Sequence, residues 1–124
     1  MIGLAHGLKV FLCTAATDMR RGFDGLSGLA GNVMKQDPLS GHLFVFRNRQ
    51  RDRLKILYWD RDGLAIWYKR LEQGTFQFPT DLKPKDNQPA GVEITASELS
   101  LLLGGIDLRT AHRRKRFERP HQPR

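Results

Sequence analysis

The sequence predicts an α+β domain: a small antiparallel β-sheet, a meander of four to five strands, with one helix packed on it, a short C-terminal helix and a basic disordered tail. Three observations carry that expectation. Residues 42–71 hold three apolar runs separated by turn formers, "HLFVF", "RLKILYW" and "LAIWYKRL". Residues 24–35 place Leu26, Leu29, Val33 and Met34 at helical spacing. Thr95-Ala96-Ser97-Glu98 has the Ser/Thr-x-x-Glu spacing of a capping box, followed by Leu99, Leu102 and Leu103 on one face. At 124 residues the chain suits one domain, expected over 1–108, with the tail at 109–124.

Taken in order, "LKVFLC" at 8–13 reads as a first strand. A turn-rich stretch leads into the helix, where Asp24 is expected to cap the first free N–H groups. Gly25, Gly28 and Gly31 weaken that helix by about 1 kcal/mol each relative to Ala, and are expected to let it approach the sheet closely. "DPLSG" at 37–41 is a turn, and the arginine-rich "RNRQRD" joins the second and third strands. "DRDG" at 60–63 is a tight turn, its glycine suited to positive φ. In the third strand Leu54, Ile56 and Tyr58 alternate with Leu57 and Trp59, so both faces are apolar. One face is expected to hold the helix and the other a smaller cluster. Residues 76–91 carry three prolines and read as a long surface loop; Val92–Thr95 reads as a short strand, and the last helix stops at Gly104-Gly105.

Charge says more about partners than about fold. The net charge is +8, yet residues 109–124 hold seven Lys/Arg and one Glu, while 1–108 hold fourteen Lys/Arg and twelve Asp/Glu. The tail therefore supplies +6 and the body only +2. Within the body, residues 47–53 contain four arginines and one aspartate. Such concentrations fit a polyanion, DNA or RNA, ahead of a membrane surface, which would call for an amphipathic basic helix. Arg47, Arg49, Arg51 and Arg53, with Lys55 beside them, are expected to fan from the hairpin onto phosphates or guanine edges. "RRKR", that is Arg113, Arg114, Lys115 and Arg116, would neutralise phosphates without reading sequence. Each basic stretch has a plain alternative, a solvated turn or a solubilising end. Trp59, Trp67, Tyr58 and Tyr68 could stack on bases but are expected in a core.

Enzyme chemistry finds little support. A small Mg²⁺ nuclease would need a carboxylate set; Asp60 and Asp62 read as turn formers, Asp24 as a cap, and Asp18 adds no rigid third acid. Cys13 is the lone cysteine and lies in an apolar run, so no internal disulfide forms and an inert thiol is expected. His6, His42, His112 and His121 are scattered, and the glycines of "GFDGLSGLAG" lack the Lys-Ser/Thr of a phosphate loop. No catalytic residue, metal or cofactor is expected. No apolar run reaches membrane-helix length and no signal-peptide pattern opens the chain, which makes a reducing cytoplasmic location the expectation.

"TDMRRGFDGLSGL", "DPLSGHLFVFRNRQRDRLKILYWDRDGLAIWYKRLEQGTF" and "ITASELSLLLGGID" together resemble the TnpB accessory protein of insertion-sequence family 66, the product of the second open reading frame. The likeness covers residues 8 to about 108, with shared positions Thr17, Asp18, Met19, Arg20, Gly22, Asp24, Gly25 and 41–71. It implies a protein encoded beside the transposase that supports transposition, the strand-transfer chemistry residing in that larger enzyme. It implies no catalytic residues. DNA at the transposon ends and the transposase are the implied partners. A pure transposase adaptor with no DNA contact is the alternative. The likeness also draws attention to Arg20 and Arg21. They either join the hairpin arginines in one basic face, or Arg20 pairs with Asp18 to shape the turn.

Overall fold

The computed structural model describes residues 7–82 and 89–104. Five strands form one sheet in the order β4-β3-β2-β1-β5: β1 is Val10–Cys13, β2 Leu43–Arg47, β3 Arg53–Asp60, β4 Gly63–Arg70 and β5 Gly91–Ile94. Strands β2, β3 and β4 are an antiparallel meander, and β5 adds antiparallel to β1. The β1–β2 pair is parallel, because the helix α1 intervenes and returns the chain in the same direction.

Period-two alternation sends side chains to two cores. Phe11, Cys13, Phe44, Phe46 and Leu57 face α1, Phe23–Gly28, which buries Leu26 and continues through Ala30 to Met34. Val10, Leu12, Leu43, Val45, Leu54 and Ile56 face the other way, against Phe76, Phe78 and the second helix α2, Ala96–Gly104. This second core was expected to be the smaller; α2 and two phenylalanines make it the larger. The expected surface loop at 76–91 is accordingly wrong at its start. Phe76, Phe78 and Thr80 are buried, and a 3-10 turn at Pro79–Leu82 packs there, because a sheet apolar on both faces needs a second cover.

Local details also differ from expectation. Asp24 makes no cap; Gly22 occupies that position, and Leu26 N–H donates to the Gly22 carbonyl at 2.9 Å. The end of the helix widens into a π turn, Leu29–Val33, where Met34 N–H reaches the Leu29 carbonyl at 3.0 Å. The extra residue rotates Val33 outward, leaving it 39% exposed, and puts Met34 inside. The close helix–sheet approach is made at Gly91 on β5, whose Cβ position lies 3.3 Å from Met34; that of Gly25 in α1 instead lies against the Arg21 side chain, 3.2 Å away. In the β3–β4 turn the positive φ falls on Arg61, at 57°, rather than on Gly63. The capping box forms as read: Thr95 N–H donates to Glu98 Oε1 and Glu98 N–H to Thr95 Oγ1, both at 3.0 Å.

Candidate nucleic-acid interface

The hairpin arginines do not act as one set, and strand geometry explains why. Arg47 ends β2 and follows Leu43 and Val45 in the period-two series, so it points into the α2-side core. There it is 7% exposed and forks onto Asp81, with Nη2 at 2.7 Å from Oδ1 and Nη1 at 3.0 Å from Oδ2. Nη1 also donates to the Phe76 carbonyl at 2.8 Å, and the guanidinium lies 3.8 Å from the centre of the Phe78 ring. Burial alone would raise the Asp81 carboxyl. The hydrogen bonds from Arg47 and Phe78 N–H, with the charges of Arg47 and Arg51, outweigh it and hold the carboxyl below its usual range. The outward-facing role expected for Arg47 is therefore corrected: it is a buried tie between β2 and the 76–82 segment.

Lys55 is corrected on the same grounds. It lies on the α1 face and is 8% exposed, its Nζ donating to the carbonyls of Met19 and Arg21 at 2.7 and 2.8 Å. It also sits 4.7 Å from the Tyr68 ring centre. Its charge thus fixes the 17–22 loop onto the sheet. Thr17 N–H, donating to the Arg47 carbonyl at 2.9 Å, fixes the same loop from its other end.

Arg51 turns back beside Asp81, with Nη1 3.7 Å from Oδ2, and remains 43% exposed. The turn that carries it is held firmly. Arg51 and Asp52 carbonyls accept from Phe76 and Leu71 N–H, each at 2.7 Å. Asn48 Nδ2 donates to Asp52 Oδ1 at 2.6 Å, and Asn48 Oδ1 accepts from Arg53 N–H at 2.9 Å.

With Arg47 and Lys55 withdrawn, the remaining arginines assemble differently. An open groove of about 870 Å³ runs between the 15–21 loop, the π turn Leu29–Val33 and the β2–β3 turn. Arg20 and Arg21 border it from one side, Arg49 and Arg53 from the other. Two aspartates, Asp18 and Asp52, also line it, and Met19, Leu29 and Val33 supply apolar surface. Arg49 and Arg21 are exposed, with no acidic side chain at ion-pair distance among the described residues. Arg53 Nη1 meets the Tyr68 hydroxyl at 3.3 Å. Arg20 has a side chain 91% exposed, yet it forks onto Asp18 at 2.7–3.1 Å. Those hydrogen bonds hold the Asp18 carboxyl at about 2. Of the two readings of Arg20, the turn-shaping pair with Asp18 therefore forms, while the residue still borders the groove. Arg113, Arg114, Lys115 and Arg116 lie outside the described residues.

The aromatic side chains singled out in the sequence do not line this groove. Tyr58 and Trp67 pack against the α2-side core, Trp59 is half-buried and Tyr68 is 47% exposed. Burial pushes the Cys13 thiol up, which keeps it unreactive at the groove's edge. Among the described residues no group of three His, Cys, Asp or Glu side chains is placed to hold a metal ion, and no helix is long and apolar enough to cross a membrane. Sequence reading missed Asp81, which has no neighbour in sequence to betray its partner. The one available signal was Arg47's parity with Leu43 and Val45.

Comparison with known proteins then decides the family. Residues 8–113 match the family described as IS66 Orf2 like protein, which spans the loop, the groove and both cores. The chain belongs to that family. Two relatives come from Sinorhizobium fredii (strain NBRC 101917 / NGR234). "Uncharacterized protein y4jC" is 40% identical over 120 residues, covering 97% of each chain. "Uncharacterized protein y4hO" is 37% identical over 109 residues, covering 88% of this chain and 90% of the relative. No solved structure matches. The IS66 Orf2-like protein is thus an accessory protein of an insertion sequence, and the matched span exceeds the 8 to about 108 expected, reaching the first residue of "RRKR".

Proposed function

We propose that this IS66 Orf2-like protein supports transposition without cutting DNA, by holding duplex DNA of the transposon ends in the groove between the 15–21 loop and the β2–β3 turn. The observation that carries this reading is the convergence of Arg20 and Arg21 with Arg49 and Arg53, two basic stretches far apart in sequence, on one groove. Guanidinium groups on both rims can bridge phosphates, and a held turn keeps them in position. Contacts of this kind supply affinity and register, while sequence readout needs base-edge contacts. The tail would add charge that neutralises further phosphates. The cytoplasm, where a mobile element meets its DNA, is the location that goes with this role.

A second reading draws on the groove's own acids. Asp18 neutralises Arg20, and Asp52 and an apolar wall lie nearby, a mixture that also suits an acidic, partly apolar surface of the transposase.

Fluorescence anisotropy against a transposon-end duplex and a scrambled duplex, over a range of salt, separates the two. Under the DNA reading, wild type binds with a steep salt slope and Arg21→Gln/Arg49→Gln/Arg53→Gln loses both affinity and slope. Absence of binding to either duplex at low salt would sink it and make the transposase the partner. Mg²⁺-dependent cleavage abolished by Asp60→Asn would overturn the non-catalytic assignment.

A further inference from the structure

We infer that the free edge of β4 is where two copies of this chain pair, strand against antiparallel strand, about a two-fold axis at Ile66. β4 ends the sheet, and its eight residues pair with β3 without interruption from Arg53↔Arg70 to Asp60↔Gly63. The outer row of N–H and C=O groups therefore runs the length of the strand with no bulge and no proline, and no strand covers it among the described residues. Edge strands are usually protected by shortness, proline or bulges. The opposite edge, β5, is protected by shortness, with four residues. β4 has none of these devices, and its charged residues, Lys69 and Arg70, sit only at its end. Its Leu64, Ile66 and Trp67 are only half-buried, and Tyr68 is 47% exposed.

The charge pattern identifies the occupant. The turn entering β4 is Arg61-Asp62, with Asp62 next to the strand, and the strand ends in Lys69-Arg70. Antiparallel pairing with a second copy sets the acidic start of each strand beside the basic end of the other, twice. Parallel pairing would set like beside like. A two-fold axis that preserves the faces of the sheet puts one residue opposite itself. With Ile66 there, Leu64 faces Tyr68 of the second copy, Ala65 faces Trp67, and Asp62, in the turn just before the strand, comes beside Arg70. The half-buried apolar side chains then complete one another across the seam. Among the described residues Arg70 has no buried partner. It is in register with Arg53, a like charge, and its ion pair with Glu72 at 2.9 Å is exposed on both sides.

The test contains no DNA, so it stands or falls apart from the DNA reading. Sedimentation velocity of the full chain across a wide concentration range should show a dimer. Asp62→Arg and Arg70→Asp, both at exposed positions, should each weaken it about tenfold by setting like charges opposite. An equimolar mixture of the two variants should restore the dimer, since every facing pair is then of opposite sign. Circular dichroism of each variant reports that the fold is intact. A wild type that is monomeric throughout, variants that dimerise as wild type does, or a mixture no better than its components would each overturn the inference.

Discussion

Arg47 shows how one residue's parity on a strand outweighs its charge. A guanidinium in a β2 position shared with Leu43 and Val45 must enter the core, and entry is tolerable only with a carboxylate waiting. Asp81 fills that role at 4% side-chain exposure. Removing Asp81 leaves the Arg47 guanidinium buried with no carboxylate partner. Asp81→Ala should therefore lower the unfolding free energy by about 3 kcal/mol in urea titrations, and in the proposed DNA role it should leave the salt slope unchanged. The pH dependence follows in sign. The folded-state carboxyl lies below its unfolded value of about 3.9, so the unfolded chain binds the proton more readily. The stabilisation is full above that value and disappears as pH falls through the depressed folded value. Urea midpoints for wild type should drop in this acid window, and more steeply than for Asp81→Asn. At the groove, by contrast, Arg49→Gln should leave the unfolding free energy within about 0.5 kcal/mol of wild type, and in the proposed DNA role it should flatten the log–log salt slope by about 0.9.

At the scale of elements, the turns and caps carry separable contributions. The capping box at the start of α2 satisfies two N–H groups reciprocally, so Thr95→Ala should cost about 1 kcal/mol, read from thermal or urea unfolding. The β3–β4 turn holds Arg61 in the left-handed region at 57°, a conformation costly for a side-chain-bearing residue. Arg61→Gly should raise stability by about 0.5 kcal/mol, the relief exceeding glycine's entropy cost; a lower melting temperature would contradict this. The β2–β3 turn needs no such correction despite Arg51 at 65°, because the backbone ties from Leu71 and Phe76 hold it there. Those ties link the turn that presents Arg49 to the same segment that covers the α2-side core.

For the whole molecule, the sheet separates two tasks. Its α2 face is sealed by Phe76, Phe78 and α2, with Arg47 closing the far end. Its α1 face carries the groove, where Lys55 pins the loop that bears Arg20 and Arg21. In the proposed DNA role, groove and tail act as independent charge sources. Truncation after Leu108 and the triple groove variant should then flatten the salt slope by additive amounts, measured by anisotropy at several salt concentrations. A truncated chain that retains the full wild-type slope would remove the tail from the binding surface.

The sequence alone determined the meander, the two-faced sheet and the capping box. All three rest on short-range information: alternation of apolar residues, turn formers between runs, and a four-residue cap. It also determined the family, through a long run of residues rather than a scattered pattern. What it left undecided was which charges reach solvent. Arg47, Arg49, Arg51 and Arg53 look equivalent along the chain, yet strand parity buries the first, Asp81 draws back the third, and the turn exposes the second. Parity was legible and Asp81 was not, since a carboxylate thirty-odd positions away reaches Arg47 only once the 76–82 segment folds over the sheet. The groove is likewise tertiary. Arg21 and Arg49 share it because a parallel crossover lays the 15–21 loop beside the β2–β3 turn, and long-range placement of that kind follows from packing the two cores.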